Sequence, residues 1–121
     1  MRLIRTLTFI IAVSLLASCK IKIIVPVEGS VITSSGAFSC GVAQICFIDV
    51  VDFFFDETFI AKPMPGYEFV KWEFRDRGLC GGKTPPCHLY TDFFEGMPAF
   101  IAFLESDEVF VLKPIFKMAG T

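Results

Sequence analysis

The stretch Thr58–Trp72, TFIAKPMPGYEFVKW, decides how the rest of the chain is read. Thr58–Lys62 and Tyr67–Trp72 are rich in β-branched and aromatic residues, which fit a pleated, half-buried surface. Between them Pro63 and Pro65 fix φ and remove two backbone donors, while Gly66 can take positive φ, so the ladder stops and turns there. Two strands meeting at this corner predict a central hairpin. Parity in the second run is mixed: Tyr67 and Phe69 share one face, Val70 and Trp72 the other. Either both faces are covered or a bulge re-aims Trp72.

Outward from that stretch, the N-terminal side carries an address. Arg2 and Arg5 precede an apolar run, Leu7–Leu16, that ends in Leu16-Ala17-Ser18-Cys19. A basic start, a short apolar run and a small-residue exit form the plan of an export signal, and the run is short for a durable transmembrane helix. An uncleaved N-terminal anchor is the competing reading. Leu16–Cys19 resembles the bacterial lipobox, which implies a signal peptide over residues 1–18, Cys19 as the first mature residue and acyl chains attached to it. Each buried methylene of such chains contributes about 0.8 kcal/mol, enough for two or three chains to hold a small domain on a bilayer. Lys20 in place of Asp after the acylated cysteine implies, for the lipoproteins this resembles, passage to the outer membrane.

Removing residues 1–18 takes away two of the 11 basic residues and none of the 13 acidic ones, leaving a net charge near −4. That balance argues against a nucleic-acid partner, which needs a basic face. With 121 residues, 54% of them hydrophobic and 15 of them Phe, residues 19–121 have the material for one dense core.

Lys20–Val25 alternates, with Ile21, Ile23 and Val25 on one face and Lys20, Lys22 and Ile24 on the other, which predicts a strand. Pro26–Gly29 is turn chemistry and Ser30–Ser34 a returning strand, giving a first hairpin. No Ser/Gly/Pro-rich tether separates Cys19 from that strand, so the folded body is expected close against the membrane. Ser35–Ala43 reads as a loop and Cys46–Val51 as a strand. In Asp52–Glu57, Phe53 and Phe55 point together and Phe54 opposes them. Glu73–Pro86 is a polar, Gly-rich loop, followed by a short strand at His88–Thr91. Pro98 suits the first turn of a short helix over 98–104, with a strand, given the aromatics there, as the alternative reading. Glu108–Phe116 closes the fold as one strand, with Phe110, Leu112 and Phe116 inward and Pro114 at an edge.

With Cys19 consumed by lipid, Cys40, Cys46, Cys80 and Cys87 remain, and four cysteines allow three pairings. Each sequence-local pair brackets a Gly-bearing loop, and an exported compartment is oxidising, so Cys40–Cys46 and Cys80–Cys87 are the expected disulfides. Zinc held by these four, or by three with His88, is the alternative; structural zinc sites use pairs two to four residues apart, closer than these. No metal and no cofactor is expected.

The arrangement strand, Gly turn, strand, Cys-Gly…Cys, Ala-x-Pro…Gly-Tyr-x-Phe-x-x-Trp, second cysteine pair and terminal Phe strand is carried by Gly29, Val31, Ser34, Cys40, Gly41, Cys46, Ala61, Pro63, Gly66, Tyr67, Phe69, Trp72, Cys80, Gly82, Cys87 and Phe116. It resembles the β-grasp-like repeat of bacterial surface proteins related to the internalin B-repeat, over Lys20–Phe116, departing from it at Lys71 where the family usually has Gly. The resemblance implies a mainly β fold and a stalk-like or adhesive module without catalysis.

The residues themselves offer little chemistry. His88 is the sole histidine, and no Gly-x-Ser-x-Gly nucleophile motif accompanies it. Asp49, Asp52, Asp56 and Glu57 lack the spacing of a calcium loop and read as a solvated acidic edge. Phe53, Phe54, Phe55, Arg75 and Arg77 are the candidates for partner binding. The expected function is a non-catalytic, lipid-anchored envelope protein bearing a small β-rich binding or structural module, with an envelope protein as partner. The alternative is an inhibitor or accessory subunit of an envelope enzyme, acting through a disulfide-pinned loop.

Overall fold

The computed structural model describes residues 19–51, 54–92, 96–98, 102 and 106–120. The fold is mainly β. In chain order the strands are β1 (Cys19–Ile24), β2 (Gly29–Thr33), β3 (Ser39–Cys40), β4 (Ile45–Val50), β5 (Asp56–Pro63), β6 (Tyr67–Trp72), β7 (Cys87–Tyr90), β8 (Val109–Leu112) and β9 (Pro114–Met118). They form a three-stranded sheet β4-β1-β8, a four-stranded sheet β3-β2-β5-β7 and a pair β6-β9. The inward residues of all three meet in one cluster in which Phe59, Trp72, Cys87 and Leu112 are wholly buried. Of the 98–104 segment, Pro98 and Ala102 are helical and the rest lies outside the described residues, as do residues 1–18.

The expected first hairpin does not form. β1 lies between β4, antiparallel, and β8, parallel, so it has no free edge for β2. Pro26 cannot extend a ladder; its carbonyl instead accepts from the Ala43 N–H, and the chain crosses to the second sheet. The first hairpin is β2–β3, its first strand the one expected over Ser30–Ser34 and its second cut out of a segment expected to be loop, with Val31 opposite Cys40. Thr33 closes its turn, its N–H donating to the Phe38 carbonyl while its Oγ1 accepts from the Phe38 N–H at 3.1 Å.

The central corner is likewise not a hairpin. β5 pairs with β2 and β7, and β6 pairs with β9. Tyr67 N–H donates to the Met64 carbonyl across Pro65 and Gly66, whose φ is 89°. Pro at the second position and positive φ at the third make this a type II turn. Such a turn splays the flanking strands where a hairpin needs the primed types. Each strand therefore finds partners elsewhere.

The terminal strand also divides, at Lys113. β8 ends on buried Leu112 in the first sheet, and β9 begins with buried Pro114 opposite Trp72 in the third. A proline is tolerated at the first position of a strand because its missing donor interrupts nothing. Along β6 the register shifts between Phe69 and Lys71, leaving Val70 as the extra residue of a bulge. Trp72 thereby turns to the same side as Phe69.

Candidate functional site

The two disulfides fix the loops around which any site is built. Cys40–Cys46 and Cys80–Cys87 are both formed. The first ties the end of β3 to β4, hence the second sheet to the first. The second ties the Glu73–Pro86 loop to the start of β7. By the chain-entropy relation, loops this short give about 2 kcal/mol each. Among the described residues no group of three or more His, Cys, Asp or Glu is arranged to hold a metal ion.

An open cleft of about 380 Å³ lies where β4 ends and β5 begins, lined by Phe38, Asp49, Val51, Phe54, Phe55 and Asp56 together with Ala37 and Glu57. Phe55 turns inward against Phe38, ring centroids 6.3 Å apart, and packs on the core. Phe54, its neighbour in the turn before β5, lines the same cleft and is 86% exposed. Phe53 lies outside the described residues.

The carboxylates of the cleft are each fixed. Asp49 pairs with Lys20 at 3.3 Å. Asp56 meets His88 Nε2 at 2.7 Å, and the His88 ring lies 4.7 Å from that of Tyr90. The Ser35 hydroxyl donates to Glu57 at 2.6 Å. Three acids against one lysine leave the rim negative, with an exposed aromatic between them. Such a surface complements a basic, apolar segment.

Arg75 and Arg77 are not brought to this cleft. Arg75 pairs with Glu73 at 3.1 Å. Arg77 pairs with Glu108 and lies over the Phe110 ring, 5.9 Å from its centroid. The Glu73–Pro86 loop that carries them is a second shaped surface. Gly82–Pro86 is exposed along its whole length, yet its backbone is clamped: Gly82 N–H donates to the Trp72 carbonyl, Trp72 N–H to the Lys83 carbonyl, and Trp72 Nε1 to the Pro85 carbonyl at 2.9 Å. Cys80 holds a φ of 55° next to this clamp, a conformation that non-glycine residues rarely adopt.

Cys19 opens β1 opposite Val50 and is 5% exposed. Burial pushes its thiol above the ordinary range, the charge of Glu108 adds to that, and Lys20 acts in the other direction. Phe38 is the aromatic member of the cleft that the sequence did not single out, because its loop position carries no periodicity. No protein-family model, no curated protein and no solved structure matches the chain.

Proposed function

We propose that the protein is a non-catalytic lipoprotein of the bacterial envelope, anchored through acylated Cys19, whose β-rich body binds a partner at the Phe38–Phe54–Phe55 cleft. The lipobox-like Leu16–Cys19 supports the anchor; the unmodified Cys19 is buried at the N-terminal end of β1, so acyl chains there require this first residue to turn outward. Lys20 stays in place, its N–H donating to the Glu108 carbonyl at 2.9 Å. The central, parallel-paired β1 supports a β-grasp-like reading of the module. The observation that carries partner binding is Phe54: a large aromatic side chain left 86% in solvent within a negative cleft, in a chain with ample room for a core. A photo-crosslinking residue at position 54, in cells expressing the acylated protein, tests it. A discrete envelope-protein adduct, absent when the residue replaces exposed Phe74 instead, supports the reading; adducts to lipid alone refute it.

The clamped Gly82–Pro86 loop favours a second reading, an inhibitor or accessory subunit that presents this loop to an envelope enzyme. In that case the adduct forms from position 84, in place of Thr84, and not from 54.

A further inference from the structure

We infer that the outward face of the β4-β1-β8 sheet is the surface that lies on the bilayer, an inference that rests on the anchor at Cys19. Alternation along β1 sends Lys20, Lys22 and Ile24 to this face, while Ile21 and Ile23 enter the core. The register places Asp49, Phe47 and Ile45 of β4 directly beside them. Ile45 and Phe47 are 57% and 58% exposed, and Lys22 Nζ stands over the Phe47 ring, 5.9 Å from its centroid. Long ammonium side chains rising above exposed aliphatic and aromatic groups form the amphipathic pattern of interfacial segments, whose apolar side chains enter the headgroup region while lysines reach the phosphates.

Three observations select a membrane as the occupant. The face begins one residue from the anchor with no linker, because Lys20, next to Cys19, is already paired with β4 and β8. It is rigidly tied to that point, β1 being paired on both sides. Finally, among the described residues of these strands two lysines stand against the one carboxylate of Asp49 on this face, making it locally positive in a chain that carries more acids than bases, which complements anionic phospholipid. A sheet lying flat also brings the cleft at the end of β4 to the level of the headgroups.

The test uses the acylated protein reconstituted into phosphatidylcholine–phosphatidylglycerol vesicles whose acyl chains are brominated, with Phe47→Trp, Ile45→Trp and Phe74→Trp read against the parent, whose Trp72 is buried. Emission from buried Trp72 also reports whether each variant is folded, and Ile45→Trp stands in should Phe47→Trp fail. Intact mass establishes the lipid separately. The expected result is quenching several-fold stronger at position 47 or 45 than at 74, reduced by Lys20→Gln with Lys22→Gln. Equal quenching at all positions in a protein shown to be acylated and vesicle-bound overturns the face assignment and leaves the anchor standing. A Phe47→Trp shift that depends on protein concentration and not on bromine overturns it in favour of a second copy of the chain. A mass without lipid at Cys19 brings down the anchor and this inference with it.

Discussion

Phe69 and Trp72 meet edge to face on one side of β6, ring centroids 5.1 Å apart at 60°, although a regular strand would set residues three apart on opposite faces. The bulge at Val70 reconciles the two, since Phe69 stands opposite Phe116 and Trp72 opposite Pro114 in the same partner strand. Phe69 also meets Phe116, centroids 6.1 Å apart, so the bulge assembles the aromatic corner of the core.

Deleting Val70 should therefore keep Trp72 buried, because Phe69 and Trp72 then fall two apart in a regular ladder. The cost is the packing of one half-buried valine, about 1 kcal/mol. Inserting one alanine after Val70 sets Phe69 and Trp72 four apart, which keeps the face only by carrying Trp72 two positions past Pro114 and out of its place in the core, and should unfold the third sheet. Tryptophan emission separates them: blue-shifted and shielded from acrylamide for the deletion, red-shifted for the insertion.

Gly29→Ala should destabilise the fold by about 1–3 kcal/mol, as overpacking does. A Cβ at Gly29 would sit 2.4 Å from the Phe116 ring and 2.8 Å from the Lys62 carbonyl oxygen. The ring can shift only by disturbing its packing on Phe69. The midpoint of urea unfolding measures the loss, and Gly36→Ala, in open space at a φ of 79°, separates conformational strain from collision.

Replacing Cys40 and Cys46 together by serine, or Cys80 and Cys87 together, should each cost about 2 kcal/mol from lost chain constraint. The serine hydroxyls then buried at positions 40 and 87 add to this through desolvation. The four cysteines of the parent should resist alkylation in denaturant until reductant is added, read by intact mass. Alkylation of any of them without reductant contradicts the pairing.

In the unacylated full chain, the Cys19 thiol should be alkylated slowly at pH 8 and faster once Glu108→Gln removes the charge that helps hold its proton. Its folded pKa is raised, so the unfolded chain loses the proton first. The associated stability is complete below the unfolded thiol range, near pH 8.5, and falls as pH rises through the folded value. Denaturant midpoints across pH 7–10, compared with Cys19→Ala, isolate that fall.

What the sequence made legible is what local chemistry determines. The alternation Ile21, Ile23, Val25 marked β1 and its inward face. The mixed parity of Tyr67–Trp72 left a bulge as one of two readings, and the Gly-bearing loops marked both disulfides. Pairing partners were hidden for a physical reason: a period of two says which side a residue faces and nothing about which strand lies alongside. The type II geometry at Met64–Tyr67 and the donor missing at Pro26 each turned an expected hairpin into a crossing between sheets. Within the cleft, Phe54 and Phe55 were legible from their run of aromatics, whereas Arg75 and Arg77 lie away from it, Arg75 in a local pair with Glu73 and Arg77 in a long-range pair with Glu108 that only the tertiary fold creates.

The central claim is the anchor. Intact mass of the protein purified from bacterial membranes tests it most directly, with and without an inhibitor of the lipoprotein signal peptidase. The account predicts a chain beginning at Cys19 and heavier by a diacylglycerol and an acyl group, and a full-length, uncleaved chain under inhibition. A free Cys19 thiol, or processing indifferent to the inhibitor, would contradict it.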